Sequence, residues 1–384
     1  MKIAVDSWTL ASRFRCQGTY VYARNLLREF KKMARQSAGI SFLLFASNKN
    51  GNDAVLIDPA ENFELISAPL LDHDRIWRLG GAGLSAARSH ADVMFIPTAA
   101  TLPVGWVPAV CAIHDVTPIT MPSHSSRMTA AQRVLLKGCA KLSRAIITSS
   151  ECSKQDIVRL LGVPEEKITV IYDGCDHAVF NTTMAGPGTR EALRVRLGIR
   201  KPYLLHHGTI QPRKNLKRLI EAFRLVLARD KSLDLDLVLA GQMGWASDEI
   251  MHTARDGSSR GDVIVAGMLG EADLARLIQG ATMAVIPSLY EGFSLPMVEA
   301  MACGVPTVTS RTSCLPEISG NALAYFDPLS IDDMAACMHS VLVDAHFKDR
   351  LRKNGIERAR QFTWERCAQQ TLQVLMRAGG AARS

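Results

Sequence analysis

Short apolar runs that do not alternate with polar residues recur along this chain, at residues 3–5, 42–45, 63–66, 93–96, 110–113, 145–148 and 168–171, then at 203–206, 237–240, 263–265, 283–286 and 307–309. Segments with helical spacing separate them, including 126–142, a helix from Glu151 and a helix from Asn215 with Leu216, Leu219, Ile220 and Phe223 on one face. A strand exposed on one side alternates in character, whereas one covered on both sides does not. Runs of this kind joined by helices predict α/β architecture with parallel sheets. At 384 residues the chain exceeds what one core supports, and the two series of runs predict two doubly wound domains. Ligands of such sheets meet the carboxyl ends of the strands. That rule selects Gly18, His114 and Asp115 in the first series, and Gly208, Thr209, Gly241, Met268 and Leu269 in the second.

The stretch 285–303 is the densest of these strand ends. It reads as a strand terminus, a turn carrying Glu291, and a helix that Ser294 caps and Pro296 opens, with Gly304 closing it. The backbone amides of Gly292, Phe293, Ser294 and Leu295 then lie at the positive end of a helix dipole, a suitable seat for an anion. Glu291 and Glu299 flank that seat, and carboxylates accept hydrogen bonds from sugar hydroxyls. An anion cradle between two such acids suits a sugar joined through a diphosphate to a nucleoside. The plainer alternative is a pair of solvated helix-start charges.

Arg213 and Lys214 stand at a strand-to-helix turn, where they neutralise a diphosphate or form a solvated surface pair. Gly18 precedes a helix and either admits a phosphate or acceptor or serves as a loop glycine. His114 and Asp115 emerge together from a buried strand, and a lone histidine there is commonly structural. The run Gly81-Ala82-Gly83-Leu84-Ser85-Ala86 formally fits a dinucleotide fingerprint, but no strand precedes it.

Forty-five basic against thirty-seven acidic residues, net +8, point to an anionic partner: a nucleotide, nucleic acid or an anionic membrane. With only 6% aromatic residues and none interleaved with the basic ones, nucleic acid is not expected. Arg13, Arg15, Arg24, Arg28, Lys31, Lys32 and Arg35 cluster early, the last five mostly on one face of a predicted helix that is either a membrane-surface helix or a solvated Rossmann helix. Nine cysteines without a Cys-x-x-Cys pair read as core residues of a reducing compartment, and no metal site is expected. No signal peptide is evident at the start, which with the cysteines predicts a cytoplasmic location, peripheral at the inner face of a plasma membrane. Residues 93–113 are uncharged and long enough to span a bilayer, but Pro97, Pro103, Gly105 and Pro108 predict two buried strands and a loop instead.

The twenty residues Pro-Ser-Leu-Tyr-Glu-Gly-Phe-Ser-Leu-Pro-Met-Val-Glu-Ala-Met-Ala-Cys-Gly-Val-Pro resemble the signature of the retaining GT-B glycosyltransferases of family 4, group 1. The resemblance implies two Rossmann-like domains facing across a cleft: an acceptor domain 1–180, a donor domain 181–362, and a C-terminal helix 363–384 returning to the first. It further implies that His114 faces the reacting sugar with Asp115 as its orienter, and that Arg213 and Lys214 neutralise the leaving diphosphate. By the same resemblance Glu291 acts at the sugar, Glu299 and the other strand-end residues hold the donor, and the base packs at Met268 and Leu269. Residues 172–181 resemble the half-linker of these enzymes, with Asp173 and Cys175 where Asn and Val are usual. Two Asp-x-Asp triplets, Asp72-His73-Asp74 and Asp234-Leu235-Asp236, are not expected to hold metal. The turn from His206 to Asn215 looks most like mannosyltransferases of bacterial surface polysaccharides, implying no cofactor, GDP-mannose as donor and a glycan or lipid-linked acceptor. A UDP-sugar donor, or a GT-B epimerase or sugar-nucleotide binding protein, is the alternative.

Overall fold

The computed structural model describes residues 1–10, 18–36, 39–46, 62–68, 73–121, 126–183, 186–256 and 261–380. The chain forms two compact units, Met1–Gly174 with Trp364–Ser384, and Cys175–Thr363. The division falls at Gly174/Cys175 and Thr363/Trp364, against sequence boundaries at 180/181 and 362/363.

In the first unit seven strands, β1 (Lys2–Val5), β2 (Ser41–Ala46), β3 (Phe63–Ser67), β4 (Val93–Ile96), β5 (Ala109–Ala112), β6 (Ala145–Thr148) and β7 (Ile168–Val170), make one sheet in the order β3-β2-β1-β4-β5-β6-β7. Every pairing is parallel. The uncharged run 93–113 supplies β4, β5 and the loop between them, and no helix among the described residues is long and apolar enough to cross a membrane. The basic helix Gly18–Gln36 buries Leu26, Leu27 and Phe30, with Phe30 stacked on Phe42 at 4.8 Å. Its apolar face is therefore spent on the core of this unit, while Lys32 and Arg35 are exposed. Arg13 and Arg15 lie outside the described residues. The helix Trp364–Gly380 lies against Gly18–Gln36 and β4.

The second unit repeats the plan with β8 (Tyr203–His207), β9 (Asp236–Ala240), β10 (Val263–Gly267), β11 (Met283–Ile286), β12 (Thr307–Ser310) and β13 (Ala324–Phe326) in the order β10-β9-β8-β11-β12-β13. All its pairings are parallel. The helix Leu216–Arg229 buries Leu216, Leu219, Ile220 and Phe223 in the core of this unit, the face its spacing predicted. β13 was not foreseen.

Strand order reverses direction between β1 and β4 in one sheet and between β8 and β11 in the other. Loops leaving the carboxyl ends at such a switch point part to opposite sides and open a crevice for a ligand. The loops after β8 and β11 carry Arg213, Lys214 and Glu291.

Candidate active site

In the second unit β8 ends at His207 and the chain turns through Gly208, at φ 135°, into a single 3-10 turn Pro212–Lys214. Gly208 donates its amide to Ala240 O at 2.9 Å, and Gly241 donates to Gly267 O at 2.8 Å, lacing the ends of β8, β9 and β10 together. At Gly241, φ 148°, a Cβ would lie 1.9 Å from the carbonyl oxygen of Gly208, so the close approach of these turns requires glycine there. Asn215 takes the left-handed conformation, φ 56°, and anchors the turn by donating from Nδ2 to Pro328 O at 2.7 Å.

Arg213 and Lys214 both point at Glu291. Arg213 Nη1 donates to Glu291 Oε2 at 2.6 Å, Lys214 Nζ donates to Oε1 at 2.5 Å, and Ser288 Oγ donates to the same Oε1 at 2.6 Å. Arg213 also donates to Tyr290 O, while the Glu291 amide donates to Ser313 Oγ at 3.0 Å. Lys214 and Glu291 are buried. Burial disfavours the ionised carboxyl of Glu291, but the adjoining guanidinium and ammonium outweigh it and hold the group well below the usual carboxylate range. Burial pulls Lys214 down, and Glu291 opposes that fall. The sequence reading gave Glu291 to a sugar hydroxyl and the two cations to a diphosphate; the structure joins all three. Two cations against one carboxylate leave the cluster with one positive charge, as a site for an anion requires.

Two histidines were overlooked. His207 Nε2 donates to Glu299 Oε2 at 3.1 Å, linking the end of β8 to the helix Leu295–Ala302, and its Nδ1 is buried without a hydrogen-bond partner. Burial, reinforced by Lys214, holds His206 at a pKa of about 3 and so neutral, with Nδ1 donating to Val285 O at 3.0 Å. Its unpartnered Nε2 and Lys214 Nζ would each lie 3.7 Å from a Cβ on Gly208. Two adjacent histidines closing a buried strand were the available signal, since buried imidazoles need partners.

The helix start differs from the expected cap. Ser294 occupies the N-cap position before Leu295–Ala302, but its backbone is left-handed, φ 76° and ψ 70°, and its Oγ is buried with no partner and caps nothing. A capping side chain requires extended backbone at that residue, and this turn does not supply it. Phe293 packs its ring edge-on against Phe362 at 5.4 Å, so only its backbone is open to a donor role. Gly304, φ 68°, follows the helix and donates to Met301 O at 3.0 Å. Met268 is exposed and Leu269 half-buried directly after β10; Thr209 borders Gly244.

In the first unit His114 follows β5, its Nε2 bonded to Pro97 O at 3.0 Å and its ring edge-on to Tyr22 at 4.5 Å. Its carbonyl accepts from Ser153 Oγ at 3.0 Å and Ser149 Oγ at 3.3 Å. Asp115 is not its orienter: Asp115 Oδ1 accepts from the amide of Thr117 at 2.8 Å. Successive side chains in extended backbone point opposite ways, and an Asp before a turn satisfies the amide two residues on. The acid that senses His114 is Asp173, whose pKa burial lifts to about 6 while His114 draws it down; its Oδ1 is buried without a partner. Gly18 opens the helix Gly18–Gln36, and a Cβ there would meet nothing within 4 Å; Gln17 lies outside the described residues.

No group of three or more His, Cys, Asp or Glu among the described residues is placed to hold a metal ion. Asp234 pairs with Lys201 Nζ at 2.9 Å and Asp236 accepts from the amide of Asp262 at 3.1 Å, while Asp72 lies outside the described residues. Gly81–Ala86 sits in a π-helical turn and the helix Ala82–Arg88 with no strand before it, so it forms no dinucleotide fingerprint.

Residues 17–179 match the family described as Glycosyltransferase Family 4, and residues 189–359 the family described as Glycosyl transferases group 1. The chain is 31% identical over 291 residues to O-antigen chain mannosyltransferase B of Escherichia coli, covering 75% of each chain. In fold it resembles sucrose-phosphate synthase from Thermosynechococcus elongatus (TM-score 0.75, 19% identity, 99% of this chain and 100% of that one). It also resembles Anabaena HepE in complex with UDP and glucose (TM-score 0.73, 18% identity, 98% and 99%). Two Rossmann-like parallel sheets, the charged cluster at a strand-order switch and these likenesses agree: the chain belongs to the group 1, family 4 glycosyltransferases of GT-B fold.

Proposed function

We propose that this protein transfers a mannosyl unit from GDP-mannose, with retention of anomeric configuration, to a lipid-linked or polysaccharide glycan in bacterial surface polysaccharide synthesis. The observation that supports it is the buried cluster of Arg213, Lys214 and Glu291, which carries one surplus positive charge beside the turns after β8 and β11. The mannosyl assignment leans on the relation to O-antigen chain mannosyltransferase B.

Departure of a nucleoside diphosphate places negative charge on the leaving oxygens. Arg213 and Lys214, held by Glu291 before the donor arrives, meet that charge without reorganising, the condition under which electrostatic stabilisation is strongest. Glu291, held in turn by Ser288, opposes the burial that draws the Lys214 ammonium down. Glu299, fixed by His207, accepts hydroxyls of the donor, and His114 serves the sugar. The diphosphate itself assists the acceptor on the face it leaves, with no covalent sugar adduct and no metal ion. The reaction takes place at the cytoplasmic face of an anionic membrane, where a lipid-linked acceptor resides.

A thermal-shift panel of GDP-mannose, UDP-glucose and a dTDP-sugar, followed by transfer assays with and without acceptor, tests this reading. A ligand at a hundred times its Kd adds roughly 2.7 kcal/mol of stability, so the correct nucleotide stands apart. Protection by a UDP-sugar alone would move the donor assignment to UDP, and conversion of donor without acceptor would make the protein an epimerase. Activity lost to excess chelator and restored by manganese would overturn the metal-free mechanism.

A further inference from the structure

Trp106 is 95% exposed, an indole held in water by a loop that is itself firmly built. A Cβ on Gly83 would lie 1.7 Å from the carbonyl oxygen of Val104, so the loop packs directly on the helix Ala82–Arg88. Leu102 donates its amide to Arg78 O at 2.8 Å, and Arg78 Nε donates to Ala100 O at 2.6 Å. Val104, itself exposed, lies against Gly80 and Gly83, and Leu79 and Ile76 in the turns just ahead of those glycines are exposed as well, Leu79 at 61%. Gly138 of the helix Ser126–Leu142 rests on Leu102, and Val134, one turn earlier on that face, is also exposed.

The surroundings are basic. Residues 73–144 contain eight Arg and Lys, three Asp and no Glu. Of the three acids, Asp92 accepts from the Lys2 amide at 2.8 Å and Asp115 from that of Thr117. Arg75, Arg88, Lys137 and Lys141 are exposed. An apolar patch led by tryptophan and rimmed by Arg and Lys has the chemistry of a bilayer interface with anionic headgroups, where indoles partition and each cation is attracted. The other basic surface, on Gly18–Gln36, has its apolar face buried and offers only charge.

We propose that Trp106, Val104, Leu79 and Ile76 form a docking surface for an anionic lipid bilayer, with Arg75 and the lysines of Ser126–Leu142 meeting the headgroups. Trp106 lies just ahead of β5 and His114 just beyond its other end, so docking leaves the strand-end side of this unit uncovered. The surface deepens the reading that the acceptor is lipid-linked and rests on it for its use in the cell. Vesicle binding measured without donor or acceptor separates the two.

The test is co-sedimentation of the full chain with vesicles of phosphatidylglycerol and phosphatidylcholine in equal parts, and with phosphatidylcholine alone. Binding to the anionic vesicles that weakens with salt, with a blue shift of tryptophan emission, is expected. Trp106→Ser with Leu79→Ser should lower affinity at least tenfold, on the order expected from removing two apolar side chains from the interface, without changing thermal unfolding. Failure of the unaltered protein to bind, or equal binding by the double variant, would overturn the proposal. So would light scattering that shows a dimer dissociated by the double variant, since the patch would then belong to a second copy of the chain.

Discussion

The Lys214 ammonium and the Glu291 carboxylate meet at 2.5 Å in a buried setting, although 77 residues separate them in sequence. Removing one partner of a buried pair leaves the other uncompensated, typically at a cost of about 3–5 kcal/mol. Glu291→Ala should therefore lower unfolding stability by that order in urea denaturation and reduce transfer about 10²–10³-fold. Lys214→Met combined with Glu291→Gln should recover much of the stability and none of the activity. A double variant as unstable as Glu291→Ala would show that the pair is not the source of the cost.

Acid sensitivity follows from the same pair. The folded pKa of Glu291 is depressed below its ordinary 4.5, so the stability it contributes is complete above that value and lost as pH falls below it. Unfolding free energy should decline below pH 4.5, and the decline should be shallower in the Lys214→Met, Glu291→Gln double variant. Equal slopes would contradict the assignment.

Asp173 behaves in the opposite sense. Its folded pKa of about 6 exceeds the ordinary 3.8, so its ionisation opposes folding above pH 6 and the penalty fades as pH falls from there toward 3.8. Asp173→Asn should stabilise the protein at neutral pH by up to about 3 kcal/mol and have no stabilising effect in acid. A gain independent of pH would point to a cause other than the buried charge.

Gly241→Ala would drive a Cβ against the Gly208 carbonyl in a backbone conformation that favours glycine. The turns after β8 and β9 must then separate. Expected are a fall of several degrees in unfolding temperature and a loss of nucleotide-sugar binding larger than that of Gly18→Ala, whose Cβ meets open space. Calorimetric titration of both variants decides the comparison.

The parallel sheets were legible because runs such as Val93–Ile96 and Met283–Ile286 carry no polar alternation, and the structure places both strands at those residues. Ala324–Phe326 escaped notice because three residues before Asp327 and Pro328 give too short a run to separate from loop. At the site, residue types were readable and partnerships were not. Nothing local says that His207 will meet Glu299, 92 positions away, and sheet topology alone brings them together. Asp115 follows His114 directly, but adjacency in sequence is not adjacency of side chains, and its carboxylate turns to the Thr117 amide. Ser294 was misjudged because cap propensity presumes a backbone that the Glu291 turn does not adopt.

Calorimetric titration of GDP-mannose into the unaltered protein and into Lys214→Met bears most directly on the claim that this cluster receives a sugar nucleotide's diphosphate. Saturable binding that weakens roughly tenfold or more in the variant, for GDP-mannose and GDP alike, is the predicted result, equivalent to about 1.4 kcal/mol or more. Equal affinities in a variant that remains folded would contradict it.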